Sequence, residues 1–449
     1  GIFSPRDSQE TPMTSNTGSA LDRRSFLQYL AMLGVGSRAL LSPGALHAAS
    51  GDLLSSVPEI KGAWDSKFDL VIETFTKNFT DHGYHGDVGA SFSAFIEGEP
   101  VIDVWAGYKD LGRSVPWERD TIVNVYSSTK TMTFLVILVL YCRGELMVDA
   151  PVAKYWPEFA ANGKEGITVA HVMSHTAGLP GFDHPVAPEV LLDWNAVTTL
   201  LAAQKPWWED RTQSGYHPLT QGYLLGEVVR RVTGKSIGTF FREEVAGPVG
   251  ADFHIGTPPE AQARTSDLYS DKDLYSDKDV IVSATPTADA PQLPHEIFQK
   301  RVFDSHRWPK DFVNTVGWRE AEIPAANGHG NARSIAKIQS VVACGGEAHG
   351  VRLLDDKTVK EAFSERVAGV DLLYGRNMRF GLGYGLPSDA APLSPSESVG
   401  MWGGAGGSLV IVDRSQKLAF SRVMNQMRPE PDMIPFHMAA AMYTSLGLS

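Results

Sequence analysis

Ser127 and Lys130 stand three residues apart at the head of a run in which Phe134, Leu135, Val136, Ile137, Leu138, Val139, Leu140 and Tyr141 are apolar on every side. Such a run predicts a helix buried between two layers of protein, and at this length it is too short to span a bilayer. With Ser127 in its first turn, Lys130 falls on the same face, within reach of the serine oxygen. The helix N-terminus adds partial positive charge there. A serine alkoxide is hard to make at neutral pH, and a lysine desolvated beside an apolar helix can lose its proton and act as the base. That is the chemistry of a serine hydrolase with lysine in histidine's usual place. Taken alone, Ser-x-x-Lys is also an ordinary solvated helix start.

A serine–lysine pair needs a second proton-transfer group and an oxyanion hole. Tyr216, in Gln213-Ser214-Gly215-Tyr216-His217-Pro218 ahead of the helical stretch from Leu224 to Gly234, is the candidate for the first. By itself a tyrosine in such a loop is more often a packed aromatic. Trp402-Gly403-Gly404-Ala405, just before the strand-like Leu409 to Val412, is the candidate for the second, because glycines let a substrate carbonyl approach a strand closely. Its plain alternative is a glycine-rich bulge beside a core tryptophan. Gly234-Lys235-Ser236-Ile237-Gly238 matches a nucleophile-elbow pattern, but a helix precedes it where a strand is needed, so Ser236 is expected to be a turn or cap residue. His171 and His175 lack the glutamate of a zinc-protease motif, with Val172 in its place, and are expected to be structural.

The elements that must position these groups come from both ends of the chain. Gly89 to Ile96 and Pro100 to Gly107 read as a hairpin across Glu97-Gly98-Glu99, and Met378–Tyr384, Ser408–Val412 and Leu418–Met424 are again strand-like. Apolar spacing predicts a helix within Lys67–His82 and a closing helix over Pro435–Leu446. The expected fold class is therefore α/β, in the α+β sense: residues 60–148 and 326–449 form one antiparallel sheet flanked by helices, and residues 149–325 are inserted as a mostly helical lid domain. The cleft between them is where a ligand site is expected.

The chain has 449 residues, 43% hydrophobic and 20% charged, as in an ordinary folded enzyme. Its formal charge of -12, from 52 acidic and 40 basic residues with no basic stripe, argues against a nucleic-acid partner. Two cysteines, Cys142 and Cys344, make no disulfide framework. Residues 1–12, ahead of Met13, are expected to be a cloning or tag remnant. Residues 13–50, with Arg23-Arg24 before a moderately apolar stretch, resemble a twin-arginine leader, implying export to the periplasm or beyond. The alternative is a structural arm on a cytoplasmic protein, which leaves a homo-oligomer open. Asp267–Lys272 is repeated at once as Asp273–Lys278, which reads as a duplicated surface loop.

The order of these motifs, with Arg143-Gly144-Glu145-Leu146, Asp149 to Pro157 and Ile167 to Pro180 between them, resembles the serine β-lactamase-like superfamily, and more narrowly the family VIII carboxylesterases with a class C β-lactamase fold. The resemblance runs from about Lys67 to the C-terminus. It implies that Ser127, Lys130 and Tyr216 are catalytic and that the backbone N–H groups of Ser127 and Ala405 form the oxyanion hole. Where β-lactamases carry Lys-Thr-Gly this chain has Trp402-Gly403-Gly404, and where the family has an asparagine after the tyrosine it has Pro218. Anionic amide substrates thus lose their anchors. A pocket of Trp402, Gly403, Gly404, His217, Trp207 and Trp208 is expected to take a neutral carboxylic ester or lactone. Neither a metal nor a cofactor is needed. The alternatives are β-lactamase, amidase or acyltransferase chemistry, or a catalytically inactive binding member of the fold.

Overall fold

A computed structural model describes residues 57–80, 86–270, 294–309, 311–389, 392–428 and 432–448. The expected tag remnant, the leader or arm, its role in assembly, and most of the duplicated 267–278 segment lie outside the described residues. The elements used below are strands β1 (Lys61–Trp64), β2 (Gly89–Ile96), β3 (Glu99–Gly107), β4 (Val399–Gly404), β5 (Ser408–Asp413) and β6 (Leu418–Met424), and helices α1 (Asp69–Lys77), α2 (Lys130–Cys142), α3 (Thr220–Thr233), α4 (Pro294–Asp304), α5 (Ala332–Ala343) and α6 (Ile434–Ser445).

The six strands form one sheet in the order β1-β3-β2-β6-β5-β4, every pair antiparallel, so the two ends of the chain meet at β2–β6. The central strands β2, β5 and β6 are buried along almost their whole length, because both faces are covered. On one face Phe92 meets Phe420, which meets Tyr443 of α6. On the other, Ser91 accepts a hydrogen bond from the Ala332 N–H that opens α5. The small residues Ser91, Ser93 and Ala94 let both layers approach, whereas β3, nearer the edge, alternates Ile102, Val104 and Ala106 inward with more exposed neighbours.

Helix α2 has no exposed face: every residue from Lys130 to Leu140 is buried. It lies under α3 and joins the sheet layer to the helical region in one continuous hydrophobic core. A short four-stranded sheet stitches the two regions together, Ile122–Asn124 lying between His329–Gly330 and Thr265–Ser266, with Phe253–His254 at the edge. Among the described residues no helix is long and apolar enough to cross a membrane.

Two expectations change. The helix within Lys67–His82 is confined to Asp69–Lys77, after a 3₁₀ turn at Ser66–Phe68 capped by Asp65. Met378–Tyr384 is not a full strand of the main sheet: Asn377–Phe380 pairs instead with Val367–Val370 as a separate hairpin, linked to β4 through bridges at Gly385. A nearby antiparallel partner outcompetes a distant one when the intervening loop is this short.

Candidate active site

Strand Ile122–Asn124 ends under the site, and the chain turns sharply before α2. The Asn124 side chain accepts the Tyr126 N–H at 3.0 Å, and Tyr126 takes a left-handed conformation, φ 43°, unusual for a bulky residue. Gly328 pins the turn from below, its carbonyl accepting the Val125 N–H at 2.9 Å and its N–H bonding Thr129 Oγ1 at 2.8 Å. The result is a 3₁₀ turn, Tyr126–Thr129, that raises half-buried Ser127 at the entrance to α2. In the first turn its N–H has no intrahelical acceptor.

Lys130 Nζ lies 3.2 Å from Ser127 Oγ, 2.6 Å from the Pro218 carbonyl and 3.0 Å from the Ala325 carbonyl. It is fully buried, and desolvation holds its pKa well below the usual 10.5. A neutral amine has two N–H donors and one lone pair. With the donors taken by the two carbonyls, the lone pair is left for the Ser127 hydroxyl. From the other side the Tyr216 hydroxyl donates to Ser127 Oγ at 2.7 Å, and Lys130 Nζ sits 4.9 Å from the Tyr216 ring centre. The structure thus brings Ser127, Lys130 and Tyr216 together.

The end of β4 closes against this turn. A Cβ on Gly404 would lie 2.1 Å from the Val125 carbonyl oxygen, and Ser408 Oγ bonds both that carbonyl, at 2.8 Å, and Ser128 Oγ, at 2.9 Å. Only glycine permits such an approach of the strand to the Ser127 turn. Gly403 and Ala405 are exposed beside it. Trp402 is only 8% exposed, stacked on His175 at 5.6 Å and packed on Phe134, Tyr216 and Phe380, so it is a wall of the core more than an open binding surface.

The expected place of His217 in the pocket is corrected. Its side chain is fully buried, its Nε2 accepts the Leu179 N–H at 3.0 Å, and its Nδ1 bonds the Gly215 carbonyl at 2.6 Å. It props the tyrosine loop from inside and reaches no cleft; burial pushes its pKa down to about 3. Trp208, half-buried, edges onto His217 and packs against Gly215 and Phe298 of α4. Trp207 packs on Phe298 with its indole N–H on Asp183 and the Arg301 guanidinium 3.7 Å from its ring centre.

The remaining decoys have structural partners. Ser236 caps the short helix Ile237–Phe241, accepting the Thr239 N–H and donating to Glu322. His171 completes a capping box with Thr168, and buried His175 accepts the His217 N–H on Nδ1. Sequence reasoning missed Asp371 and Tyr374, which sit in the loop of the Val367–Phe380 hairpin. The Tyr374 ring stacks on Tyr216 at 5.3 Å, and Asp371 accepts the Tyr216 N–H at 3.2 Å. No spacing motif marks either residue.

The family model described as Beta-lactamase matches residues 75–441. The chain is 34% identical over 371 residues to the esterase/beta-lactamase LipL of Mycobacterium tuberculosis, covering 82% of this chain and 83% of that one. Its structure resembles that of a family VIII carboxylesterase, with TM-score 0.75 and 36% identity over 86% of this chain and all of the other. It resembles equally a penicillin-binding protein homologue from Caulobacter crescentus, with TM-score 0.76 and 34% identity over the same shares. The chain therefore belongs to the beta-lactamase family and is a serine hydrolase of that fold.

Proposed function

We propose that the protein hydrolyses neutral carboxylic esters or lactones through an acyl-enzyme on Ser127. Neutral Lys130, with Tyr216 as proton relay, takes the Ser127 proton as Oγ attacks the carbonyl. The N–H groups of Ser127 and Ala405 hold the oxyanion, and Tyr216 returns a proton to the departing alkoxide. Water then attacks the acyl-enzyme by the reverse route and frees the acid. Each step uses a group already within hydrogen-bond reach of Ser127 Oγ, apart from the two amides of the oxyanion hole.

One observation carries the choice of a neutral ester: Trp402, packed among His175, Tyr216, Phe134 and Phe380, lies on β4 where a cation would anchor a substrate carboxylate. A carboxylate brought against those rings would lose its hydration without a countercharge. The name of the Mycobacterium relative, an esterase/beta-lactamase, favours a second reading in which β-lactams are also opened.

The test is hydrolysis of p-nitrophenyl esters, an aromatic or macrocyclic lactone, and nitrocefin by wild type and Ser127→Ala. Ester or lactone turnover that vanishes in the variant, with nitrocefin little touched, is the expected result. Turnover surviving in Ser127→Ala would remove Ser127 from the mechanism, and nitrocefin as the preferred substrate would move the reading to β-lactam hydrolysis.

A further inference from the structure

Asp371 is a fully buried acid held by three backbone N–H groups and the Ser214 side chain. It opens the loop between Val367–Val370 and Asn377–Phe380, where its Oδ1 accepts the N–H of Leu373 at 2.9 Å, of Tyr374 at 3.1 Å and, across a gap of 155 residues, of Tyr216 at 3.2 Å. The first two bonds are what any loop of this kind would make for its own sake. The third belongs to another loop, the one carrying the proposed proton relay.

The rest of the contact between the two loops runs parallel to that bond. The Leu372 N–H bonds the Ser214 carbonyl at 2.9 Å and the Gln213 amide donates to the Val370 carbonyl at 2.7 Å. Tyr374 lays its ring on Tyr216 at 5.3 Å and an interplanar angle of 25°. His175 meets the Tyr216 ring edge-on at 4.9 Å and Trp402 packs on it at 5.9 Å. The phenol is thus packed among three rings, but its distance from Ser127 is set by where its own backbone is held. Of the bonds that hold it, the one to Asp371 comes from a carboxylate, and charge-assisted bonds in a dry site are the stronger kind. Burial raises the Asp371 pKa, and the N–H groups of Tyr374 and Tyr216, with Ser214 and the Leu373 N–H, draw it back.

We propose that Asp371 is a positioning residue for the reaction: its carboxylate ties the hairpin loop to the Tyr216 backbone and thereby sets the 2.7 Å approach of the Tyr216 hydroxyl to Ser127. Because it acts through Tyr216, Asp371 has this role only if Tyr216 serves Ser127. Misplacing a reacting group by about 1 Å costs on the order of 10²-fold in rate. Asp371→Ala is therefore expected to lower kcat about 10²-fold with KM nearly unchanged.

The deciding experiment is a double-mutant cycle of Asp371→Ala and Tyr216→Phe. It is read as p-nitrophenyl acetate turnover per titrated site and, independently of the ester reading, as the rate at which a fluorophosphonate modifies Ser127. Tyr216→Phe is expected to lower both rates, and Asp371→Ala is expected to cost nothing further once the phenol hydroxyl is gone. Losses that multiply, or an Asp371→Ala protein with wild-type rates, would overturn the role of Asp371 while leaving Tyr216 in place. Wild-type rates in Tyr216→Phe would overturn both. Asp371→Asn keeps an acceptor oxygen and carries the cycle if the alanine variant does not fold. It is expected to lose about three- to tenfold, the neutral bond being roughly half as strong, and to lose nothing in the Tyr216→Phe background. An equal loss in both backgrounds would refute the proposal.

Discussion

Replacing Lys130 by methionine keeps the length and apolar stem of the side chain and removes the amine. The structure sets the consequences. In the neutral form the amine spends its two N–H groups on the Pro218 and Ala325 carbonyls and offers its lone pair to Ser127. Loss of that base is expected to lower the acylation rate by about 10²- to 10⁴-fold, the usual contribution of a positioned general base. The two carbonyls lose their donor, at about 1–3 kcal/mol each, partly offset because an amine no longer has to be desolvated.

The sign of the pH dependence follows from burial. The native pKa of Lys130 lies well below the unfolded 10.5, so between those values the unfolded chain binds more protons than the native one. Wild-type stability should therefore rise with pH across that window, relative to Lys130→Met, until about pH 10.5. Wild-type acylation should fall as pH drops through the native pKa, because a protonated Lys130 has no lone pair. Stopped-flow acylation by a p-nitrophenyl ester over a pH series, with urea unfolding at the same pH values, measures both. A Lys130→Met protein within tenfold of wild type, or with the same acid limb, would show that Lys130 is not the base.

Three further outcomes are expected. Gly404→Ala drives a Cβ into the Val125 carbonyl and should lower kcat by about 10²-fold or more through displacement of the neighbouring Ala405 amide, whereas at Gly403 the nearest atom would be the Ser408 carbonyl oxygen at 3.5 Å and alanine should leave thermal stability close to wild type. Trp402→Lys, which recreates the lysine of β-lactamases, removes a ring packed on four others and should lose about 3–5 kcal/mol in urea unfolding without gaining nitrocefin turnover. A Trp402→Lys protein as stable as wild type would contradict the packing assigned to that wall. His217→Gln should lower stability while leaving KM within about threefold of wild type, because the ring holds Leu179 and Gly215 and meets no substrate. With its pKa near 3, His217 should also contribute no limb to the rate profile between about pH 5 and 8.

What the sequence made legible was local. Ser127 and Lys130 could be read because spacing on one turn and a helix apolar all round are properties of a single stretch. The meeting of the two chain ends in one sheet could be read because β2, β5 and β6 are each recognisable strands. Tyr216 could be read only from its order among the other motifs. His217 was misplaced for a physical reason: beside a residue that faces the cleft, a polar aromatic looks like a second ligand contact, yet its own side chain turns inward to the Leu179 amide.

The misassigned strand and the unnoticed acid are one error. With Met378–Tyr384 placed in the main sheet, the residues before it were only a connection, and Asp371 was one more loop acid among many. Paired as Val367–Val370 with Asn377–Phe380, the same residues make a hairpin whose tip, 371–376, is free to reach across to the helical region. There a carboxylate has backbone donors from both loops, and a ring has Tyr216 to stack on. A buried acid held by amides acquires meaning only from where those amides come from, and their convergence is a property of the fold. That is why the groups proposed to do the chemistry lie in short motifs, while the group proposed to aim them carries no motif at all.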